Sequence, residues 1–517
     1  MFKQFFLKNL LLITTVSLAA CSSVKEYNLA ITEKKHSVQT LKQDIDLTHQ
    51  ILKDGHPGLY WYISKKQLDF KFDSLKNAIN EPLTTRQFYQ KLSPVVAAIR
   101  CGHTALRFPS VIQKDKKERE ATKNKIYPLH QFTYAVSEDK LIVINNKSKN
   151  KNIKTGTEIL EIDGLAPKEI FNIVSTGFSY DGYNSLSRNK RIERNFAQLY
   201  KIYFSEQDSV AIKFKTDSAV INTFVSFYDK KKDAEAKKKL DTAKTVAKVP
   251  DKKIKKTLKY RGNKVNNEYQ LDFKFLDQEK DIAYLKIKSF SVPTANFKQF
   301  YKQAFDSISL SKSKNLVIDI RNNPGGTLSA SLALFSYLTD KDFVYLAKPI
   351  NNGGFSADKY QTGLKKLRYY LTAFNDNGNI YEDDEGNFFS FMKGYKPQKP
   401  HKNNYKGKVY VLINEFSFSA SSLISANLKG INRATFVGTE TGGGANQCTA
   451  GRMPVVTLKN SKLDLRFGLN RMAPIYQQDL YGRGVFPDVE VQSTLKDRIS
   501  NYERELQWIL TDIKGKG

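Results

Sequence analysis

Two apolar, β-branched runs that each end in a tight turn constrain this chain most. Val317-Ile318-Asp319-Ile320 runs into Arg321-Asn322-Asn323-Pro324-Gly325-Gly326, and Val409-Tyr410-Val411-Leu412-Ile413 runs into Asn414-Glu415-Phe416-Ser417-Phe418-Ser419-Ala420-Ser421. A third run, Asp281-Ile282-Ala283-Tyr284-Leu285-Lys286-Ile287, precedes them, and helical patterns at 328–338 and 421–428 alternate with the strands. That alternation predicts α/β layering. At 517 residues the chain exceeds one ordinary core and is expected to divide into several domains.

The turns carry the chemistry. A serine hydroxyl is a poor nucleophile until a base takes its proton and the resulting oxyanion is stabilised. Apolar residues at helical spacing after Ser419 place it near a helix N-terminus, where unpaired N–H groups and the dipole favour negative charge. Pro324-Gly325-Gly326 lets a backbone approach a ligand closely, because neither glycine has a side chain. Taken alone, Ser417, Ser419 and Ser421 also read as helix caps and the glycines as a strand exit.

Taken together, the two phrases resemble the C-terminal processing and tricorn-like serine peptidases, over about residues 280–492. The resemblance implies a crotonase/ClpP-like core, Ser419 as nucleophile, and an oxyanion hole built from the N–H groups of Ala420 and of Gly325 or Gly326. In the processing peptidases a lysine is the base. Here Gly444 occupies its position in Thr441-Gly442-Gly443-Gly444-Ala445, so a serine–lysine dyad at that place is excluded. The tricorn-like branch uses a histidine in a Gly-His-Thr phrase, matched by Gly102-His103-Thr104, which makes His103 the expected base. An ordinary imidazole, with a pKa of about 6.5, accepts a proton near neutrality.

The group that orients this base stays open between Asp479, which precedes the family phrase Gly484-Val485-Phe486-Pro487-Asp488, and Glu440 on the loop that replaces the lysine. The serine that precedes the histidine in tricorn-type enzymes is replaced by Gly102. His56, in a Pro-Gly turn, is expected to organise the N-terminal domain or the cleft rim.

The expected organisation is a multidomain α/β chain. Residues 1–21 read as a secretory signal closed by Leu18-Ala19-Ala20-Cys21, which resembles a bacterial lipobox with Cys21 lipidated. Ser22 after the cysteine favours the outer membrane, and the apolar run is well short of the ~20 residues needed to span a bilayer. A tether follows at 22–37. Residues 38–124 form an N-terminal helical cap with Leu41, Ile45, Leu52, Leu68, Phe72, Leu75 and Ile79 at helical spacing. Residues 125–228 form a β-rich domain in which Gly156-Thr157-Glu158-Ile159-Leu160-Glu161-Ile162-Asp163-Gly164 resembles a PDZ domain. Residues 229–266 are a Lys-rich insertion or linker, and 267–510 are the catalytic core, with an insertion at 341–407.

Two thiols remain in the mature domain, Cys101 and Cys448, either bridged or free. The net charge of +31 is spread, with a concentration in the Lys-rich stretch. No zinc-spaced Cys/His set, phosphate-binding glycine loop or dinucleotide fingerprint is present, so no metal or other cofactor is expected, and the expected envelope location makes nucleic acid an unexpected partner. The expected function is hydrolysis of peptide or protein substrates in the cell envelope, on a chain held to the membrane by its lipid anchor. A non-catalytic binder on the same fold and an envelope esterase are the alternatives.

Overall fold

The computed structural model describes residues 31, 34–109, 122–216, 219–231, 260–264, 268–348, 350–351, 357–360, 380–382, 388–390 and 392–515. The expected signal and lipobox, most of the tether and of the Lys-rich stretch, and much of the 341–407 insertion lie outside these residues.

Three helices come first: α1 (Val38–Gly55), α2 (Lys65–Ala78) and α3 (Thr85–Ala97). Each begins where a hydroxyl satisfies an otherwise unpaired N–H: Ser37 accepts from Thr40, Ser64 from Gln67, and Thr84 from Gln87. Gln67 and Gln87 reach back to close capping boxes. Leu41, Ile45, Leu52, Leu68, Phe72 and Leu75 are buried from these helices, as is Ile79 just beyond α2. The chain then turns through Cys101-Gly102-His103 into a short strand, β1 (Ala105–Arg107).

A second unit is a five-stranded antiparallel sheet in chain order: β2 (Phe132–Ser137), β3 (Lys140–Asn146), β4 (Glu158–Ile162), β5 (Ser209–Lys215) and β6 (Val220–Ser226). Helices α4 (Pro167–Ser175) and α5 (Ser187–Phe204) bury Ile170, Phe171, Ile192 and Phe196 in the same core as Tyr134, Ile159 and Phe214 of that sheet.

The third unit is a six-stranded sheet. Its members are β7 (Leu271–Phe275), β8 (Ile282–Ile287), β9 (Asn315–Asp319), β10 (Lys408–Ile413), β11 (Thr435–Gly438) and, after an excursion through β12 (Val455–Thr457) and β13 (Asp464–Arg466), β14 (Val489–Glu490). The spatial order is β7-β8-β9-β10-β11-β14, antiparallel at β7/β8 and parallel elsewhere. Both faces are covered, and this explains the unbroken apolar runs. Ala283, Leu285, Leu316, Ile318, Val409 and Val411 face α6 (Phe297–Ser311), α7 (Leu328–Ser336) and α8 (Ala420–Gly430). Ile282, Tyr284, Val317, Tyr410 and Leu412 face α9 (Arg504–Gly515). The chain is therefore multidomain α/β with several sheets.

The excursion between β11 and β14 joins this sheet to the N-terminal helices. β13 pairs antiparallel with β1, Leu465 opposite Leu106 and Arg466 opposite Ala105. Val456, Leu463 and Leu465 are buried in the same cluster as Phe88 and Leu92 of α3. Asp44 of α1, fully buried, accepts from the backbone N–H groups of Asn460 and Ser461 and from both of their side chains. Asp44→Ala would strand buried donors, so it should lower the unfolding free energy by about 3 kcal/mol, read as a fall in the urea midpoint. An unchanged midpoint would show that the α1 contact does not hold the excursion.

Candidate active site

The candidate nucleophile sits where β10 turns into α8. Ser419 is the N-cap residue of α8, with φ 56° and ψ −119°. A non-glycine residue at positive φ stores strain, about 1–3 kcal/mol, and persists only where its surroundings over-determine it. Here they do. The Phe418 N–H donates to Asn323 O at 3.0 Å, and the Ser421 hydroxyl donates to the same carbonyl at 3.1 Å. Ser417 Oγ donates to Ile320 O at 2.8 Å and Ser422 Oγ to Ser417 O at 3.0 Å. Those three hydroxyls brace the turn, whereas Ser419 Oγ faces His103 Nε2 at 3.1 Å.

The neighbouring strand exit packs directly on this turn. Asn323, fully buried, donates its amide to Ile287 O and accepts the Gly325 N–H at 2.9 Å. Gly325 has φ +94°, and a Cβ there would lie 2.7 Å from both Phe418 O and Ser419 Cβ, so only glycine fits. Of the two glycine donors expected for an oxyanion hole, the Gly325 N–H is thus committed to Asn323. At Gly326 the bridge to Phe290 uses Gly325 O and the Thr327 N–H, which leaves the Gly326 N–H directed away from Phe290. Among the described residues neither the Gly326 nor the Ala420 N–H has a hydrogen-bond partner.

His103 arrives from a different unit, at the turn between α3 and β1. Its ring lies against Phe418, with centroids 4.8 Å apart. Gly102 is needed beside it because a Cβ there would meet Phe418 Cζ at 2.6 Å. His56 supports the same turn: the Gly58 N–H donates to Nδ1, which fixes the tautomer, so Nε2–H donates to Thr104 Oγ1 at 2.8 Å. Burial, with the Arg466 cation nearby, lowers the His103 pKa to about 3. The ordinary imidazole value expected from the sequence gives way to a ring that stays neutral well into acid. Its Nδ1 is buried without a hydrogen-bond partner among the described residues.

The structure brings neither expected acid to that nitrogen. Asp479 is exposed on a bend and makes no hydrogen bond or ion pair among the described residues. Glu440 is buried but committed, accepting from Arg483 Nε at 3.1 Å and the Gly484 N–H at 2.6 Å. The sequence reading missed the carboxylate that does lie beside the site. Asp181, 2% exposed, accepts from the Gly102 N–H at 2.7 Å and from the Gly444 N–H at 3.1 Å. Burial pushes its pKa up to about 6 against the pull of these two donors. Only a Tyr180-Asp181-Gly182 turn marks it in the sequence, and such turns are common. At Gly444 itself a Cβ would meet Gln447 O at 2.6 Å, so the loop holds no room for the relatives' lysine without moving.

Cys101 and Cys448 are both free thiols. Cys101 Sγ, a His103 ring nitrogen and an Asp181 oxygen lie within 4.8 Å of one another, and such donors can hold a zinc-like cation. Each is otherwise engaged. Cys101 Sγ is 2.9 Å from Thr449 Oγ1 and burial pushes its thiol up, both Asp181 oxygens accept backbone N–H groups, and His103 Nε2 faces Ser419.

The buried histidines make stability pH-dependent. His56 and His103 are each lowered from 6.5 to about 3. The unfolded chain therefore takes up protons first, and the stability they allow is fully present above pH 6.5 and is lost as pH falls toward 3. Asp181 works the other way, since a raised carboxyl pKa favours the folded state as pH drops below about 6. Urea midpoints should fall from pH 7 to pH 4, and His56→Asn should make that fall shallower. Parallel slopes in the two proteins would contradict the neutral, buried state of His56.

Residues 281–491 match the model for Peptidase family S41. Among curated relatives, the Tail-specific protease of Haemophilus influenzae is 26% identical over 165 residues, 32% of this chain and 18% of that protein. The Carboxy-terminal-processing protease of Bartonella bacilliformis is 24% identical over 242 residues, 46% of this chain and 45% of that protein. The chain thus spans less than half the length of either relative. Among solved structures, mature CPAF complexed with lactacystin aligns with 93% of this chain and 99% of its own at a TM-score of 0.60 and 16% identity, a likeness of fold. The matched segment contains Ser419 and the Pro-Gly-Gly exit but not His103. The part of the chain that matches peptidase family S41 is thus the sheet from β8 to β14, with its glycine exit and its serine turn.

Proposed function

We propose that this chain is a serine peptidase in which Ser419 and His103 act as a pair. One observation carries the reading: among the hydroxyls of Ser417, Ser419, Ser421 and Ser422, three brace backbone carbonyls and Ser419 alone faces an imidazole nitrogen, at 3.1 Å. Within that distance a neutral ring can take the hydroxyl proton as the oxygen attacks a scissile carbonyl. The N–H groups of Ala420 and Gly326 would then hold the oxyanion, with the α8 dipole behind Ala420. The match of the core to peptidase family S41 and the names of its relatives point to peptide bonds as the substrate. The short Ser419–His103 distance also argues against a non-catalytic binder on the same fold.

The sheet β2–β6 with α4 is, in this reading, a PDZ-like module that presents extended substrate, because an open sheet edge can take a further strand. The resemblance of Leu18-Ala19-Ala20-Cys21 to a lipobox supports a lipid-anchored position in the bacterial cell envelope, with the outer membrane favoured by Ser22.

Three experiments test this. A fluorophosphonate probe should label Ser419, located by peptide mapping. Ser419→Ala and His103→Ala should each lower peptide turnover by about 10⁴-fold or more, and the double variant should be little worse than either, since the two groups act as one unit. Near-normal turnover in His103→Ala with Ser419 still required would remove His103 from the role. Cys21→Ser should release the chain from membranes or block its processing; unchanged fractionation would refute the anchor.

A further inference from the structure

Proton transfer from Ser419 to His103 carries an electrostatic cost. His103 must carry a positive charge at the moment of proton transfer, yet its site is buried, Arg466 opposes the charge, and Nδ1 has no hydrogen-bond partner among the described residues. The exposed Asp479 and the engaged Glu440 do not relieve this. The buried carboxylate near the His103 ring is that of Asp181.

The segment 181–184 is a seam between the turn that bears the base and the loops around the nucleophile. The Gly182 N–H donates to Arg100 O at 2.9 Å and the Tyr183 N–H to Gly482 O at 2.8 Å. Asn184 Nδ2 donates to Thr441 O at 2.7 Å. Asp181 spans both sides with one side chain: Oδ1 takes the N–H of Gly102, the residue before the base, and Oδ2 takes the N–H of Gly444. The Gly444 loop in turn rests on the nucleophile, because a Cβ on Gly443 would lie 2.8 Å from Ser419 N. A carboxylate suits two N–H donors that converge from opposite sides. An amide in its place would turn its own N–H₂ toward one of them.

We propose that Asp181 is the positioning residue of the Ser419–His103 pair, locking the base-bearing turn to the nucleophile loop and supplying the negative charge that offsets the imidazolium. The proposal rests on the serine peptidase reading. A carboxylate oxygen of Asp181 lies within 4.8 Å of a His103 ring nitrogen. The titratable groups packed around it are His103 and Cys101 on the base-bearing turn, Cys448 beyond the Gly444 loop, and Tyr62 following α1; no cationic side chain pairs with Asp181 among the described residues. Asp181 is therefore an anion held by backbone dipoles, and the charge nearest to it that can change in catalysis is that of His103. With His103 lowered to about 3 and Asp181 raised to about 6, the acid limb of activity belongs to Asp181 and not to the ring.

The test is the rate at which a fluorophosphonate labels Ser419, measured from pH 5 to pH 8 in the full chain for wild type and Asp181→Asn, with thermal melting as the folding control. The expected result is a wild-type rate that rises through about pH 6 and an Asp181→Asn rate at least ~100-fold lower at pH 8, with that limb gone. Equal rates overturn the proposal, as does a slower variant that keeps the limb, which would make Asp181 a packing residue only. If Asp181→Asn does not fold, the Asp181 carboxyl is titrated by carbon-13 NMR in Ser419→Ala. Titration coincident with the wild-type limb supports the assignment, and separation by more than about one pH unit overturns it. Failure of the wild type to be labelled at any pH would instead refute the serine peptidase reading itself.

Discussion

The Asn323 carbonyl is the point on which the site turns. It accepts from Phe418 and Ser421, on either side of Ser419, and so binds the exit of β9 to the exit of β10. That double acceptor, together with the Ser417 and Ser422 hydroxyls, holds Ser419 at φ 56° against relaxation into an ordinary helix cap. The same residue's side chain holds the Gly325 N–H and Ile287 O, so one buried asparagine sets the spacing of three parallel strands at their C-terminal ends. Open parallel sheets place their sites at this edge because the strand exits diverge there and leave room for a ligand.

Behind Asn323 the strand end is fixed by charge. Asp319, 1% exposed, accepts from Tyr284 on β8 and from Arg321, and Arg321 reaches Glu505 on α9. Burying this network would be costly if any member were unpaired. Here the Arg321 cation keeps the Asp319 carboxyl below its ordinary pKa in spite of burial. The helix that covers one face of the sheet is thus tied to the strand that presents the glycine exit.

Delivery of the proposed base depends on long-range contacts of another kind. The S41 segment holds the proposed nucleophile, but His103 stands 178 residues before that segment begins at 281. It is brought in by the excursion that pairs β13 with β1, by Asp44 on the 460–461 turn, and by the 181–184 seam. Gly102, Gly325 and Gly443 each sit where a methyl group would strike the serine turn, which is how three chain segments converge on one hydroxyl. The site is accordingly assembled by docking, and the burial that docking creates lowers the His103 pKa.

The sequence by itself determined the elements and their local chemistry. Apolar runs such as Val409–Ile413 announce a strand buried on both faces, and the tight turns after β9 and β10 mark where chemistry can sit, because period, branching and turn residues act over a few positions. Ser419 and His103 were legible as a serine after a strand and a histidine in a short phrase. What only the tertiary structure decided is what those groups feel. Asp181 comes into reach through an ordinary turn, Asp479 stays at the surface, the Gly325 N–H is consumed by Asn323, and His103 loses most of its basicity. Hydrogen-bond partners and desolvation depend on which distant segments pack together, and no local pattern of residues carries that information.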